Sequence, residues 1–441
     1  MSFGGKFFLF FVLLLVAATG GYFYFQKNIA DTDRQKTVKA GDVYLEFAGE
    51  IYDVIKANYW EKIPDDKLSG LYKLAAEKIL NQPQNLETAD KSGVKNLIAA
   101  IIKDYQPQKK KEFVAQLGDI VLANLQPLGR SRLYTAKLEK DLEENVKNID
   151  SGADLYAALG VTKDASQKEI EQTYQKKSQE LESDKSPAAQ EKLAQISRAY
   201  EALAKPEKRQ RYDQTGSEPT VISRLITPDI YYIKLTRFSP QSFDELQNAA
   251  NAIDPEKSQG PTTLIFDLRA NIGGSIDILQ YFLGPFIGLD RYAYEFFHQG
   301  EKIPFKTKVG WLASLARYKK VVILTDDKMQ SSAEVMTAAL KKYNVGVAVG
   351  VPSKGWGTVE RVFPMENQID PNEKYSIFLA HSLTLRDDDQ PIEGRGVDPA
   401  VNIEDKDWSQ QLMAYFNYPE LALVVKKLFG EGGTGNLGLP K

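Results

Sequence analysis

Apolar residues form an unbroken run near the amino terminus. Residues 7–25 hold nineteen positions without a charged side chain, and at about 1.5 Å per helical residue such a run spans roughly one hydrocarbon core. It predicts a membrane-crossing anchor within residues 1–27. A cleaved signal peptide is the alternative, because small residues follow Val16, but the aromatic cluster at 22–25 suits a membrane interface and favours a retained anchor.

Helical spacing follows this run. Between residues 46 and 80 apolar side chains recur every three or four positions, Pro64 separates two amphipathic stretches, and a similar pattern covers residues 94–120. Residues 125–149 are acidic and indicate a solvated connection. These patterns predict a small helical unit over residues 40–150.

The pattern changes in residues 220–406, where strand and helix signals alternate. The β-branched runs are at 262–268, 321–325, 345–351 and 375–385, and the helical patterns are at 241–253, 276–286 and 331–343. Strands that alternate with helices predict an α/β unit with a largely parallel sheet covered by helices. The last part, residues 407–441, predicts one amphipathic helix and a flexible glycine-rich tail.

Composition limits the chemistry that these units can perform. The chain has 441 residues, enough for about three domains. It contains no cysteine and two histidines, His298 and His381, which excludes disulfides, thiolate zinc sites and a cysteine nucleophile. We expect no metal and no cofactor, with His381 packed in a strand and His298 in an irregular aromatic stretch. Lys and Arg total 56 against 59 Asp and Glu, so no nucleic-acid partner is predicted.

A second helical module covers residues 152–216. The stretches DLYAALGVTKDASQKEIEQTYQKKSQEL and AKPEKRQRYDQTG closely resemble the J-domain, the helical co-chaperone module. The resemblance implies these buried positions: Leu155, Tyr156, Leu159, Ile170, Tyr174, Leu193, Ile196, Ala199, Tyr200 and Leu203. It also implies a His-Pro-Asp tripeptide where this chain reads Glu182, Ser183 and Asp184. We therefore expect a degenerate module with a structural or peptide-presenting role and no chaperone ATPase as partner; an unusual co-chaperone is the alternative.

Two local features of the α/β unit can carry chemistry. In FDLRANIGGSID, Gly273 and Gly274 follow a strand and can present backbone N–H groups as an oxyanion or phosphate cradle. A plain turn that requires positive φ is the alternative. Ser331 lies at the start of a helix, where it can act as a nucleophile or, with Glu334, as a simple capping box.

Taken together, the segments of this unit resemble the C-terminal-processing, or tail-specific, serine peptidases. The matching segments, in family order, are 231–249, 267–274, 331–334, 349–360 and 391–401, and residues 46–75 resemble the family's helical amino-terminal region. The resemblance implies a crotonase-like α/β protease fold. In that family a PDZ domain usually lies between the helical region and the core, and here the J-like module takes its place.

The family works with a serine and a neutral lysine. Ser331 matches the nucleophile, and the implied oxyanion hole comprises Gly273, Gly274 and Ser332. The position of the base, 25 residues after the serine and between two glycines, is Trp356. An indole N–H donates a hydrogen bond but cannot accept a proton, so the family's general base is missing from this sequence.

We therefore predict a membrane-anchored, catalytically impaired homologue that binds polypeptide segments or termini, or scaffolds an assembly. The first alternative is an active serine endopeptidase that uses Lys354 or Lys342 as a substitute base. The second is a co-chaperone. Orientation is open, because four basic residues after the anchor favour a cytoplasmic body, whereas the family implies the extracytoplasmic side of the cell envelope, which we expect. Helices near both ends are compatible with a homo-oligomer.

Overall fold

The computed structural model describes residues 42–150, 152–182, 184, 186–253, 260–386 and 388–430. The anchor predicted within residues 1–27 and the flexible tail predicted after residue 430 lie outside these ranges. Among the helices that are described, none is long and apolar enough to cross a bilayer.

The elements are numbered in chain order. The amino-terminal region forms α1 (Val43–Asn58), α2 (Asp65–Leu80), α3 (Lys91–Ile102), α4 (Pro107–Ala123), β1 (Arg132–Thr135) and α5 (Ala136–Val146). The J-like module forms α6 (Leu155–Leu159), α7 (Gln167–Glu182), α8 (Pro187–Leu203) and α9 (Pro206–Thr215).

The remaining elements build the α/β part. Its first half contains β2 (Val221–Thr227), β3 (Ile230–Leu235), α10 (Ser242–Asn251), β4 (Thr263–Asp267), α11 (Leu279–Ile287), β5 (Tyr292–His298), β6 (Glu301–Lys306) and α12 (Ala313–Ala316). Its second half contains β7 (Lys320–Thr325), α13 (Ser332–Lys342), β8 (Val347–Gly350), β9 (Thr358–Pro364), β10 (Tyr375–Thr384), β11 (Val401–Asn402), α14 (Trp408–Phe416) and α15 (Pro419–Gly430).

Helices α1–α4 pack against a five-stranded antiparallel sheet. In this sheet β10 pairs with β1, β5 and β9, and β6 pairs with the far side of β5. Ile377 and Leu379 of β10 are buried in the same core as Phe47 and Ile51 of α1. The amino-terminal helices and the α/β part therefore share one hydrophobic core.

The second sheet has six strands in the order β11-β8-β7-β4-β3-β2, parallel except for the β2–β3 pair. Successive strand residues face opposite sides: Phe266 is buried under α10, α11 and α13, whereas Ile265 is buried under α14 and α15. This is the largely parallel, helix-covered sheet that the sequence predicts. Because β4 and β7 run in the same direction, the loops that follow them meet at one edge.

The sequence patterns miss part of this architecture. The predicted strand runs cover β4, β7, β8 and β10, and no run predicts β1, β2, β3, β5, β6, β9 or β11. Strand β6 leaves nearly every side chain exposed, so it lacks the alternation of a half-buried strand. The single carboxy-terminal helix predicted after residue 407 is wrong, since α14 ends at a left-handed Asn417 (φ 46°) before Pro419 opens α15.

The J-like module has its own core. The predicted buried positions are buried except Tyr174 and Tyr200, which are half-buried and stack with ring centroids 3.9 Å apart. Arg198 of α8 forms ion pairs with Asp150 and Glu218, which flank the module in the chain. Together with an ion pair from α9 to α10, these contacts hold the module against the α/β part.

Candidate active site

Ser331 lies between the carboxyl end of β7 and the start of α13. Its backbone has φ 58° and ψ −129°, and side-chain-bearing residues held at positive φ are uncommon and cluster at functional sites. The Ser331 N–H donates to the Glu334 carboxylate at 2.8 Å, so the predicted capping box is formed. The serine is therefore fixed at a helix end where N–H groups point outward.

The glycine turn after β4 lies directly against this serine. At Gly273 (φ +86°) an added Cβ would come within 2.6 Å of the Ser331 Cβ, and at Gly274 (φ +138°) it would lie 2.2 Å from the carbonyl oxygen of Phe238. Neither contact is possible for a side chain, so only glycine fits at these two positions. The fold thus brings the predicted oxyanion turn beside the predicted nucleophile.

The donors of the implied oxyanion hole are not equivalent. The Gly273 N–H donates to the Asn271 side chain at 2.9 Å, so this donor already has an acceptor. The N–H groups of Gly274 and Ser332 have no acceptor within the described residues, and the Ser332 hydroxyl donates to the Gly274 carbonyl at 3.1 Å. Two of the three donors therefore remain available to a ligand.

Glu334 joins the serine to the segment that carries the base position. It is fully buried and accepts four hydrogen bonds, from the Ser331 N–H, the Ser353 hydroxyl and the N–H groups of Gly355 and Trp356. Burial raises the pKa of Glu334, and these hydrogen bonds oppose the rise. Since the Ser331 and Trp356 nitrogens share one carboxylate oxygen, they lie within about 6 Å of each other.

Trp356 occupies the position of the base, and both its indole N–H and its ring have partners. Its Nε1–H donates to Glu360 at 2.9 Å, and the guanidinium of Arg130 lies 3.4 Å from the ring centroid. Arg130 is held there by Glu393 at 2.9 Å. Burial raises the pKa of Glu360. The position therefore holds a cation-stacked ring that can donate but cannot accept a proton.

The two proposed substitute lysines differ in their distance from the serine. Lys342 is the last residue of α13, three turns from Ser331 and about 16 Å along the helix axis, and its Nζ lies over the Tyr292 ring. This separation excludes Lys342 as the base. Lys354 is exposed, and its Nζ lies 5.3 Å from the Trp356 ring centroid. The amine thus contacts the indole that occupies the base position.

Comparison with known proteins identifies the two parts of the chain. Residues 229–403 match the model of Peptidase family S41, and residues 154–213 match the DnaJ domain. The chain carries an S41 peptidase domain and a J domain. The chain is 25% identical over 181 residues to the Carboxy-terminal-processing protease of Bartonella bacilliformis, covering 40% of this chain and 39% of that protein.

The J domain is 50% identical over 68 residues to the Chaperone protein DnaJ of Salinibacter ruber, covering 15% of this chain and 18% of that protein. The chain thus spans less than half the length of either curated relative. Among solved structures, the photosystem II D1 C-terminal processing protease is similar with a TM-score of 0.46 and 11% identity, over 83% of this chain and 94% of that one.

The expectation of a degenerate J-like module is corrected by these matches, and with it the expectation that a chaperone ATPase is not a partner. The DnaJ model covers the whole module, because the identity of the domain rests on its buried positions rather than on three loop residues. Of the tripeptide position, Ser183 and the side chain of Glu182 lie outside the described residues. Asp184 is exposed, and its carboxylate accepts the Ser186 N–H at 2.8 Å.

A buried ion pair lies in the residues that precede the glycine turn of the S41 domain. Arg269 binds Asp267 through two hydrogen bonds, at 2.7 and 2.9 Å, and the Tyr232 hydroxyl donates to the same carboxylate. Arg269 also donates to the Leu428 carbonyl of α15 at 2.8 Å. Sequence reasoning assigned no role to Asp267, Arg269 or the Asn271 side chain, although the stretch DLRAN (267–271), which ends one residue before the two glycines, carries the signal.

The two histidines of the S41 domain lie together and apart from Ser331. Their rings stack with centroids 4.2 Å apart, and the His298 Nδ1 contacts the carbonyl oxygen of His381 at 2.6 Å. Burial, Arg361 and the neighbouring His298 lower the pKa of His381 to about 4. His381 is half-buried in β10, as expected, whereas the irregular stretch predicted around His298 is wrong, since His298 ends β5.

Proposed function

We propose that this protein is an S41 peptidase homologue that binds polypeptide segments and cleaves them poorly or not at all. The observation that carries the proposal is the environment of Trp356, whose Nε1–H is donated to Glu360 while Arg130 covers the ring. The Ser331 turn and the match of residues 229–403 to the S41 family support the binding part of this proposal. The proton acceptor of the family is replaced by Trp356.

The expected loss of rate is large. Removing the base from a serine nucleophile costs about 10⁴-fold or more, which corresponds to about 5 kcal/mol of transition-state stabilisation. The exposed Lys354 does not compensate, because its amine lies 5.3 Å from the Trp356 ring centroid and makes no hydrogen bond to the Ser331 hydroxyl within the described residues.

Incubation with a fluorescently labelled, denatured casein tests this proposal. We expect the full chain to retain the labelled polypeptide on a size-exclusion column and to produce no more fragments than the Ser331→Ala variant does. Fragmentation by the unmodified protein that disappears in Ser331→Ala refutes the impairment. Covalent labelling of Ser331 by a serine-reactive phosphonate supports the same refutation.

For the J domain we propose engagement of a chaperone ATPase of the Hsp70 type. The supporting observation is the match of residues 154–213 to the DnaJ domain, with Asp184 exposed in the loop between α7 and α8. We expect the full chain to stimulate the ATPase rate of such a chaperone, and Asp184→Asn to reduce that stimulation. Equal ATPase rates with and without the protein contradict this part of the proposal.

We also propose that residues 7–25 anchor the protein in a membrane with its body on the extracytoplasmic side. The length and apolar character of this run support the anchor. Resistance to alkaline carbonate extraction, together with digestion of the body by protease added to the outside of intact cells, is the expected result. Protease protection in intact cells indicates the opposite orientation.

A further inference from the structure

The antiparallel sheet has a face that helices α1–α4 do not cover. Residues of β10 alternate between the two faces, and Ile377 is buried with α1 in the shared core, so Phe378 lies on the opposite face. Directly paired residues share a face, which places Val362 of β9 beside Phe378 and Glu360 beside Ala380. The carboxylate that accepts the indole N–H at the base position therefore lies on this second face.

Two stacked rings form an aromatic platform on this face. Tyr134 of β1 and Phe378 of β10 have ring centroids 4.6 Å apart and planes 4° apart, and both side chains are only half-buried. Burial and the charge of Glu360 raise the pKa of Tyr134, so the tyrosine lies near that carboxylate. Within the described residues the Tyr134 hydroxyl has no hydrogen-bond partner. The platform therefore offers ring surface and a free hydroxyl beside Glu360.

Two carboxylates border the aromatic platform without a basic partner. Glu360 is partly buried and accepts the Trp356 indole N–H and the Thr358 hydroxyl through the same oxygen, Oε1. Its Oε2 accepts no hydrogen bond from another described residue. Glu139 of α5 accepts the Ser376 hydroxyl at 3.0 Å. In the part of the chain that the structure describes, neither carboxylate forms an ion pair.

The cations of this region have other partners. Arg132 binds Asp119 at 2.8 Å and Arg130 binds Glu393 at 2.9 Å, although the charge of Arg130 still offsets part of the rise that burial causes in the pKa of Glu360. The carboxylates exceed the cations, four to three: they are Glu139, Glu360, Asp119 and Glu393 against Arg130, Arg132 and Lys354. The surplus negative charge complements a cationic ligand.

An arginine side chain combines the properties that this surface selects. Its guanidinium is planar, stacks on aromatic rings and donates hydrogen bonds to carboxylates in a fixed fork, whereas a lysine ammonium is a compact point charge. The protein uses the same combination next to the platform, where Arg130 lies 3.4 Å from the Trp356 ring centroid while it binds Glu393. The rings of the platform and Glu360 supply the corresponding partners for a second guanidinium.

We propose that the aromatic platform of Tyr134 and Phe378 binds an arginine side chain of a polypeptide segment, with Glu360 as the counter-charge. The proposal rests on the polypeptide-binding function proposed above and names arginine-bearing segments as its ligand class. Because Glu360 also accepts the indole N–H of Trp356, the bound arginine holds the segment at the edge of the candidate active site.

Three fluorescein-labelled, amidated ten-residue peptides of Ala, Ser and Gly test this proposal. Their central residue is Arg, Lys or citrulline, which has the planar shape of Arg without the charge. Polarisation is measured at pH 7.5 with the full chain carrying Ser331→Ala, so that cleavage does not interfere. We expect the Arg peptide to bind about tenfold or more tightly than the citrulline peptide, and more tightly than the Lys peptide. Added salt should reduce the difference between Arg and citrulline.

A charge variant tests the assignment to Glu360. Glu360→Gln keeps an acceptor for the Trp356 indole and should remove most of the preference for Arg over citrulline. Glu50→Gln is the matched control, because it removes the same charge from α1, where Glu50 accepts the Asn367 N–H and has no ion-pair partner among the described residues. It should leave the preference unchanged.

A ring variant tests the aromatic platform itself. Phe378→Leu keeps the apolar character but removes one ring, and it should reduce the preference for Arg over Lys. Phe297→Leu is the control, since Phe297 is another half-buried ring of the same sheet but contacts Trp60. Circular dichroism shows whether each variant is folded, and a ratio of two affinities measured on the same variant does not depend on the fraction that is folded.

Equal binding of the Arg and citrulline peptides overturns the proposal without any variant, and so does a Lys peptide that binds as tightly as the Arg peptide. A preference that survives in both Glu360→Gln and Phe378→Leu also overturns it. These outcomes are separable from failure of the proposed function. Retention of denatured casein without an arginine preference leaves that function standing, and Ser331-dependent cleavage of casein by the unmodified protein, with the preference intact, removes the impairment and leaves the arginine site.

Discussion

Trp356→Lys is the substitution that most directly tests why the S41 domain should be inactive. Residue 356 is held beside the nucleophile, because its N–H and that of Ser331 donate to the same oxygen of Glu334. A lysine side chain at this position therefore starts within reach of the serine hydroxyl. The substitution also removes the stacking of Arg130 on the indole, worth about 0.5–2 kcal/mol.

Glu360 determines how much activity this lysine can restore. The Trp356 indole donates to Glu360, so the new amine would meet the same carboxylate. A carboxylate about 4 Å from an ammonium contributes about 4 kcal/mol at an effective dielectric constant of ~20, or about three pKa units. Its charge would raise the lysine pKa and keep the amine protonated near neutral pH, where a general base must be neutral.

We therefore expect Trp356→Lys alone to cleave denatured casein weakly at pH 7.5 and faster as the pH rises, because the raised pKa releases the neutral amine only at high pH. The double variant Trp356→Lys, Glu360→Gln lacks the carboxylate, and burial then lowers the lysine pKa. It should cleave about 10²-fold faster than the parent protein at pH 7.5, out of the roughly 10⁴ that the base supplies.

The assay is fragment release from the labelled casein between pH 6.5 and 9.5, with Ser331→Ala added to each variant as the control. The reasoning is refuted if the double variant, shown to be folded by circular dichroism, releases fragments no faster than its Ser331→Ala counterpart. Equal rates for the single and double variants at pH 7.5 refute the role given to Glu360.

Three further predictions concern stability. Gly273→Ala should lower the free energy of unfolding, measured with denaturant, by about 2–4 kcal/mol, because the new Cβ would overlap the Ser331 Cβ. Gly300→Ala is the control, since Gly300 is also at positive φ but has nothing within 4 Å, and it should lower the free energy of unfolding by about 1–2 kcal/mol. Equal losses in the two variants contradict the predicted overlap with Ser331. Glu334→Gln should lower the free energy of unfolding by about 1–3 kcal/mol, because one buried N–H donor would then face an amide NH₂ group. An unchanged melting temperature would contradict this loss of stability. The pKa of His381 is lowered to about 4 in the folded protein, so the unfolded chain binds more protons below pH 6.5. The free energy of unfolding should therefore fall by about 1–2 kcal/mol, after allowance for solvent screening, as the pH drops from 6.5 to 4. His381→Phe should flatten this pH dependence.

Local sequence was sufficient for the features that depend on neighbouring residues. Ser331 and Glu334 are three residues apart, and the geometry of a helix start follows from such a pair. The Gly273 turn follows a β-branched strand, and the parallel sheet follows from alternating strand and helix patterns. Each of these signals is contained within about fifteen residues.

The features that sequence reasoning missed depend on contacts between distant residues. Arg130 covers Trp356 only because the amino-terminal helices pack on the antiparallel sheet, and its partner Glu393 lies 263 residues away. The pairing of β1 with β10 and the stacking of the two histidines bring together strands that are remote in the chain. Periodicity within one segment contains no information about such partners.

The position of β10 in the shared core has a consequence for biosynthesis. Helices α1–α4 reach their full burial only when Ile377 and Leu379 are available, and β10 is made roughly 250 residues after α4. At about 5–20 residues per second, this leaves their apolar faces incompletely covered for tens of seconds. The core of the J domain, in contrast, lies between Leu155 and Leu203, so its contacts are local and form early. During synthesis, the J domain should therefore be the first part of the described chain to fold, while the helices that precede it still wait for β10.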